Sequence, residues 1–429
     1  MLPRRAERHR AVALGVAVLA ATGVAACTAT VDSDSDQPTV SVFGPWRGES
    51  AEAFRESMTT FEERTGIDVV YTGSANFVGD ATRRVQDGLA ADVMVFPQPG
   101  VMLELADQGL LVPLRSDVVQ AATRSHRPEV TEALPAEQAD VGIVYRLNVK
   151  SLVWYPPAVF DESGYSVPRT WSELDALAQQ IADDGTTPWC LGVEAFTASG
   201  WPATDWIEDI VLRSAPVDTY DRWAAGDLPF TDAAIAASFE DFSEMALTVG
   251  RPFGGRRGVL NTNVQAAAQP MFDDPPGCLL HRQASFASDD LDPSFEIGPD
   301  GDTDVFVLPG RGTAPPPLLV GGTFAAAGTD RPETWELLEY LASPEGSAPW
   351  VQRGGFISPH ASVGRDDYGS ELDGLMAELL ADADVVRFDG SDLMPPAVGA
   401  GTFYSAMLSY IAAGQLDDAL AEAQSGYDD

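Results

Sequence analysis

Residues 39–74, TVSVFGPWRGESAEAFRESMTTFEERTGIDVVYTGS, read as strand, helix and strand. The β-branched alternation of TVSVF stops at Gly44-Pro45, which leaves Trp46 in the loop that follows. Phe54, Met58 and Phe61 then recur at helical spacing, Gly66 supplies the stop, and 67–74 resumes strand text. The pattern repeats, with a short helix at 81–90 (ATRRVQDGLA), a strand at 91–100 (ADVMVFPQPG) and a helix at 101–109 (VMLELADQG). This alternation predicts an α/β fold in which a mainly parallel sheet is covered by helices on both faces. Ligands of such sheets lie beyond the carboxyl ends of the strands. Trp46, the loop 74–77 with Asn76 and Phe77, and the loop 97–99 with Gln98 all occupy that position.

Further along, 140–148 (DVGIVYRLN) reads as a strand, and Thr170 with Glu173 forms a capping box before Leu174, Leu177 and Ile181. Residues 187–196 (TPWCLGVEAF) are strand-like, helical text dominates to about 250, and glycine-rich loops are expected at 254–258 and 298–301. Strand signals return at 302–310 and 317–328, and the C-terminal part is mostly helical. In 197–213, TASGWPATDWIEDIVLR, a helix places Trp206, Ile207, Ile210 and Val211 on its buried stripe and pairs Asp209 with Arg213. Glu208, Asp209 and Arg213 then form its solvated side, while Trp201 and Asp205 stand at its approach, where an indole can face a cleft.

The N-terminus carries Arg4, Arg5, Arg8 and Arg10 before the uncharged run AVALGVAVLAATGVAAC, the pattern of a signal peptide over 1–26. The run from 11 to 26 is shorter than the roughly twenty residues that span a bilayer core. Val24-Ala25-Ala26-Cys27 resembles the bacterial lipobox, so Cys27 is expected to carry lipid and 27–37 to serve as a solvated tether. The protein is then exported and held at the outer face of the cytoplasmic membrane. The formal charge of −39 becomes −42 when the leader, with its four Arg and one Glu, is removed. Such a polyanion is a poor partner for nucleic acid and favours a neutral or cationic ligand. Cys190 and Cys278 remain in a compartment where disulfides persist, and are expected to pair.

No metal or cofactor is expected: His126, His281 and His360 are scattered, and no CxxC or HExxH spacing occurs. The acids of 300–304 match only the start of a calcium loop, since Val305 and Gly312 stand where glycine and an acid are needed. Phosphate loops and GxSxG elbows are absent, and Lys150 is the only lysine. A neutral sugar needs flat aromatics for its C–H faces and carboxylates and amides for its hydroxyls. Trp46, Phe77 and Trp201 with Asn76, Gln98 and Asp205 meet that need without a nucleophile.

The stretches 150–174 (KSLVWYPPAVFDESGYSVPRTWSEL), 188–213, 275–286 (PPGCLLHRQASF), 353–360 (RGGFISPH) and 388–403 (FDGSDLMPPAVGAGTF) stand in the order found in one family. Over 38–429 the chain resembles the sugar-binding lipoproteins of bacterial ABC importers, the alpha-glucoside type of extracellular solute-binding protein family 1. The resemblance implies a two-lobed binding-protein fold, each lobe a mainly parallel sheet flanked by helices, with a first lobe at 38–147 and 306–350 and a second at 148–305 and 351–429. It implies a non-enzymatic monomer that closes about a hinge on an alpha-glucoside or small oligosaccharide and docks on a membrane permease. Carried over by position, Trp46, Asn76, Phe77 and Gln98 face Glu194, Trp201, Asp205, Arg282, Gln283, Phe388, Asp389 and Asp392, with Tyr404 where relatives often have Trp. The chain also lacks the charged pair frequent at 75–76. A lipid-anchored glycoside hydrolase, or a receptor for a solute such as a cationic oligopeptide, is the alternative reading of the same residues.

Overall fold

The computed structural model describes residues 37–427 except 135 and 313; the leader, Cys27 and the tether to residue 36 lie outside the described residues. Among the described residues ten strands form two sheets. The first sheet holds β1 (Thr39–Gly44), β2 (Asp68–Gly73), β3 (Val93–Phe96), β4 (Gly142–Val149), β9 (Leu318–Ala327) and β10 (Val386–Phe388). The second holds β5 (Leu152–Tyr155), β6 (Thr187–Trp189), β7 (Cys278–Arg282) and β8 (Asp304–Val307). They are the two lobes of a solute-binding protein fold.

As the opening strand and helix text implies, β1 pairs in parallel with β2 and β3. Val93 and Val95 pack into one core and Met94 and Phe96 into another, the period-two burial of a strand covered on both faces. The sheets are mixed rather than mainly parallel, because β9 runs antiparallel to both β3 and β4, and β5 antiparallel to β7 and β8. Strand β10 lies in the stretch 351–429 expected to complete the second lobe, yet it pairs with β9 of the first sheet. Phe356 likewise packs on Tyr145 and Trp350 beneath that sheet.

The chain passes from β4 to β5 through Lys150 and Ser151. There the backbone N–H of Lys150 donates to Leu319 O (2.8 Å), that of Leu308 donates to Ser151 O (2.8 Å), and Ser151 Oγ accepts from the Leu319 N–H (2.8 Å). The two crossovers between the sheets are thus fastened to each other at one point.

The helix Trp171–Asp183 begins with the expected capping box of Thr170 and Glu173. The segment 255–258, expected as a loop, opens the helix Gly255–Asn261 instead. The helix Trp201–Ser214 departs most from its expectation. Trp206 is buried as expected, against Trp189 and Phe242, but Glu208, Asp209 and Arg213 are buried too. Charged residues read as solvated are tolerated inside because partners distant in sequence reach them. The Cys190–Cys278 disulfide is present and joins the end of β6 to the start of β7.

Candidate functional site

A cleft of about 660 Å³ lies where the loop after β1 faces the segments that follow β6 and β7. That volume is in the range of roughly 300–1,000 Å³ typical of small-molecule sites. Four aromatic residues line it: Trp46, Phe196, Trp201 and Phe286. Trp46 is set in a ring cluster with Phe54, Tyr71 and Trp350, and its backbone N–H donates to Tyr71 Oη (2.8 Å). Trp201 packs against Phe286 with centroids 5.9 Å apart. The polar lining includes Asn148 and Arg146 of β4, Asn263, Gln265, Asp289 and Asp290.

Phe196 is, among the described residues, the one non-glycine with positive φ, at 53°, and its side chain is 84% exposed. A left-handed backbone at such a residue costs on the order of 1–3 kcal/mol and persists only where the surroundings impose it. Here they do. Glu194 Oε1 accepts the Phe196 N–H (2.9 Å), and Asn263 Nδ2 donates to Glu194 Oε2 (2.6 Å). Ser199 Oγ donates to Phe196 O (2.8 Å) while accepting the N–H of Ala195 (2.9 Å). The hydrogen bonds hold a strained turn whose product is a phenyl ring standing at the cleft.

Gly200 ends that turn at φ 111°, and a Cβ there would lie 2.5 Å from Tyr404 O. Only glycine allows both that conformation and that approach. It lets the helix start at Trp201 against the segment of Tyr404.

Beneath Trp201 lies a buried ionic layer. The Lys150 ammonium sits 5.6 Å from the Trp201 ring centroid, donates to Asp205 Oδ1 (3.2 Å) and contacts Asp389 Oδ2. Arg282 reaches Asp205 (3.3 Å) and Asp209, which also accepts from Arg213 and from Ser151 Oγ (2.6 Å). Glu208 accepts the N–H groups of Gly390 (3.1 Å) and Ser391 (3.2 Å). Gln98 Nε2 donates to Asp392 Oδ1 (2.9 Å) and to Tyr404 Oη (3.1 Å), so the loop after β3 is bound to the 389–404 segment.

Burial raises acids and lowers bases unless a partner charge opposes it. Burial, reinforced by Asp389, pushes Glu208 and Asp392 well up. Burial raises Asp205 to about 6, with Lys150 and Arg282 restraining the rise. Asp209 is held low despite burial by Arg213 and Arg282, and Asp389 by Lys150. Lys150 is burdened by burial, but Asp205 and Asp389 lift it well above its usual value. The cations Lys150, Arg213 and Arg282 thus meet the carboxyl groups of Asp205, Asp209 and Asp389. Carboxylate oxygens of Asp205, Glu208 and Asp389 come within 4.8 Å of one another, but Lys150 already supplies the cation between two of them.

The residues expected to form the site thus separate. Trp46 and Trp201 line the cleft, and Glu194 braces its rim through Asn263 and Phe196. Asp205, Arg282, Asp389, Asp392, Gln98 and Tyr404 belong to the ionic layer beneath it. Phe77, at the start of its helix, stacks on Phe43 and meets Phe96 edge-on, and Phe388, at the end of β10, meets Phe324 edge-on, so both turn to the core. Asn76 is exposed at the start of the helix Phe77–Gln86, away from the cleft lining. Gln283 is buried, its Oε1 accepting the Ala284 N–H (2.8 Å) and its carbonyl the Trp154 indole N–H (3.0 Å).

The sequence reading missed Phe196, Phe286, Asn148, Asn263, Gln265, Asp289 and Asp290. A lone phenylalanine among small residues in EAFTASG was the available signal for the first.

The model of the family described as bacterial extracellular solute-binding protein matches residues 47–273. The osmoprotective compounds-binding protein GgtB of Synechocystis sp. is 40% identical over 89% of this chain and 90% of its own. The alpha-glucosides-binding periplasmic protein AglE of Rhizobium meliloti is 37% identical, over 91% of this chain and 87% of its own. Among solved structures, a chitin oligosaccharide binding protein superposes with a TM-score of 0.75 at 16% identity, covering 92% of this chain and 98% of its own. That last likeness is one of fold. With the cleft between two lobes and the relatedness over nearly the whole chain, the protein belongs to the bacterial extracellular solute-binding protein family.

Proposed function

We propose that the protein is the sugar receptor of an ABC importer, capturing a neutral alpha-glucoside or small oligosaccharide between its lobes and presenting it to the membrane permease. The observation that carries this reading is the cleft in which Trp46, Phe196, Trp201 and Phe286 stand among amides and carboxylates. Rings of that kind cover the apolar C–H faces of pyranoses, and Asn148, Asn263, Gln265, Asp289 and Asp290 are suited to their hydroxyls. The alpha-glucoside binding of the relative AglE supports the same ligand class. Closure turns on the crossovers fastened at Ser151, and a sugar shifts the population by binding the closed form more tightly. Lipid on Cys27 keeps the receptor at the membrane, and the binding step needs no catalytic residue. No helix among the described residues is long and apolar enough to cross a membrane.

The test is calorimetric titration of the chain with maltose, trehalose and sucrose, followed by assay of the mixtures for free monosaccharide. Binding without hydrolysis is expected. Turnover places the protein among glycosidases, and heat from peptides but no sugar assigns it another solute. Trp201→Ala is expected to weaken the best sugar about 30-fold, from roughly 2 kcal/mol of lost ring contact. Unfolding of that variant much below wild type would instead make Trp201 a structural residue.

Phe196→Gly separates binding from strain. Glycine accepts φ near 53°, so the variant is expected to gain about 1 kcal/mol in urea unfolding while sugar affinity falls about tenfold. Unchanged affinity would remove Phe196 from the ligand contacts.

A further inference from the structure

A second cavity, of about 280 Å³, lies in the first lobe between the helices Ser116–Ser125 and Pro128–Glu132 and strand β4. Its wall is mostly apolar, with Val119, Val130, Leu134 and Val144 contributing, and among the described residues no charged side chain lines it. Four polar side chains interrupt that wall: the hydroxyls of Thr123 and Thr131 donate to Val119 O (2.8 Å) and Arg127 O (3.3 Å), whereas Gln138 and His126 are left with unpaired atoms. Gln138 is 1% exposed, and neither its amide oxygen nor its amide nitrogen has a hydrogen-bond partner. His126 is 9% exposed, and its Nε2 is likewise unpartnered.

Buried polar groups in folded proteins are nearly always paired, because an amide withdrawn from water without a partner is costly. The indole N–H groups of Trp189, Trp206 and Trp223 are also unpaired, but each offers a single donor and none lines this cavity. Gln138 presents donor and acceptor together at the wall of an open space. Burial holds His126 at about 4, so its ring is neutral at pH 7, and it packs tilted against His360 with centroids 5.1 Å apart, the His360 Nδ1 being engaged with Ser125 Oγ (3.1 Å).

We propose that this cavity is a binding site for a small uncharged organic molecule with an apolar body and one head group, a hydroxyl or carboxamide, that pairs with the Gln138 amide and His126 Nε2. The apolar wall takes the body, and the neutral side chains among the described lining residues suit an uncharged ligand. At less than half the volume of the cleft, the site suits a smaller ligand than a disaccharide.

The experiment titrates the full chain with benzamide as probe, toluene as the control without a head group, and maltose as competitor, by calorimetry and ligand-observed NMR. Saturable benzamide binding is expected, about tenfold tighter than toluene and indifferent to saturating maltose. Gln138→Leu removes both amide atoms at similar size. It is expected to weaken benzamide about tenfold, leave maltose binding unchanged, and raise the melting temperature of the unliganded protein by about 2 °C, because an unpaired buried amide is gone. No saturable benzamide binding overturns the proposal, as does equal affinity for toluene, displacement by maltose, or a Gln138→Leu variant that melts lower or binds benzamide as the wild type does. The comparison of benzamide with toluene on the wild type decides the matter even if the variant fails to fold. Maltose binding is read separately, so failure of this site leaves the sugar reading standing.

Discussion

Lys150→Met is expected to lower the unfolding free energy by about 3–5 kcal/mol at pH 8, as measured by urea denaturation. The side chain removed is the only lysine, and it is buried between Asp205 and Asp389. Removing one member of a buried ion pair leaves the other charge without compensation, which costs more than the pair contributed. Asp205 retains Arg282, at 3.3 Å, whereas Asp389 keeps only the hydroxyl of Ser391 and the N–H of Asp392 (both 2.8 Å).

The sign of the pH dependence follows from that. In the wild type Lys150 holds Asp389 below the usual carboxylate value, so its stabilisation is present above that value and lost as pH falls through the lowered one. In the variant burial raises Asp389 instead, and the ionised form destabilises the fold until the acid takes up a proton. The deficit should therefore be larger at pH 8 than at pH 5.5. A deficit below about 1 kcal/mol at pH 8, the size of an exposed pair, would mean the ammonium is solvated. Because the same ammonium underlies Trp201, sugar affinity should fall with stability in this variant.

The fold was legible where periodicity alone decides it. Val40 and Val42 alternate, Phe54, Met58 and Phe61 recur, and Thr170 and Glu173 cap a helix; each signal lies within one element. The disulfide was legible from compartment and cysteine count, whereas Trp201, read as lying before a helix, is the first residue of that helix. The ionic layer was not. Glu208, Asp209 and Arg213 look like a solvated helix side because their partners stand at 151, 282, 308 and 390–391, in separate segments that only the tertiary fold brings together. Nor does a residue type reveal a dihedral angle, so the strained turn that exposes Phe196 was hidden in ordinary loop text. Phe77 and Phe388 misled for the converse reason: an aromatic next to a strand end can turn to the core as readily as to the cleft, and both turn to the core.

Cys190→Ser is expected to cost about 4–5 kcal/mol of stability while leaving sugar affinity within about threefold of wild type. The bridge closes a loop across a sequence separation of 88, and a cross-link of that span acts chiefly by restricting the unfolded chain. In the folded protein the same neighbourhood is held independently: β6 pairs with β7 in parallel, the Cys190 N–H donates to Leu280 O (2.8 Å), and His281 Nδ1 bonds Cys190 O (2.8 Å). The segments leaving these two strands carry Phe196 and Trp201 on one side and Phe286, Asp289 and Asp290 on the other, so their spacing survives loss of the bridge as long as the protein is folded. The double variant with Cys278→Ser should match the single one in urea unfolding, and a reductant should destabilise only the wild type. Additive losses in the double variant would mean that the thiols contribute by packing. A wild type whose sugar affinity falls on reduction without a loss of stability would mean instead that the bridge positions the cleft walls in the native state.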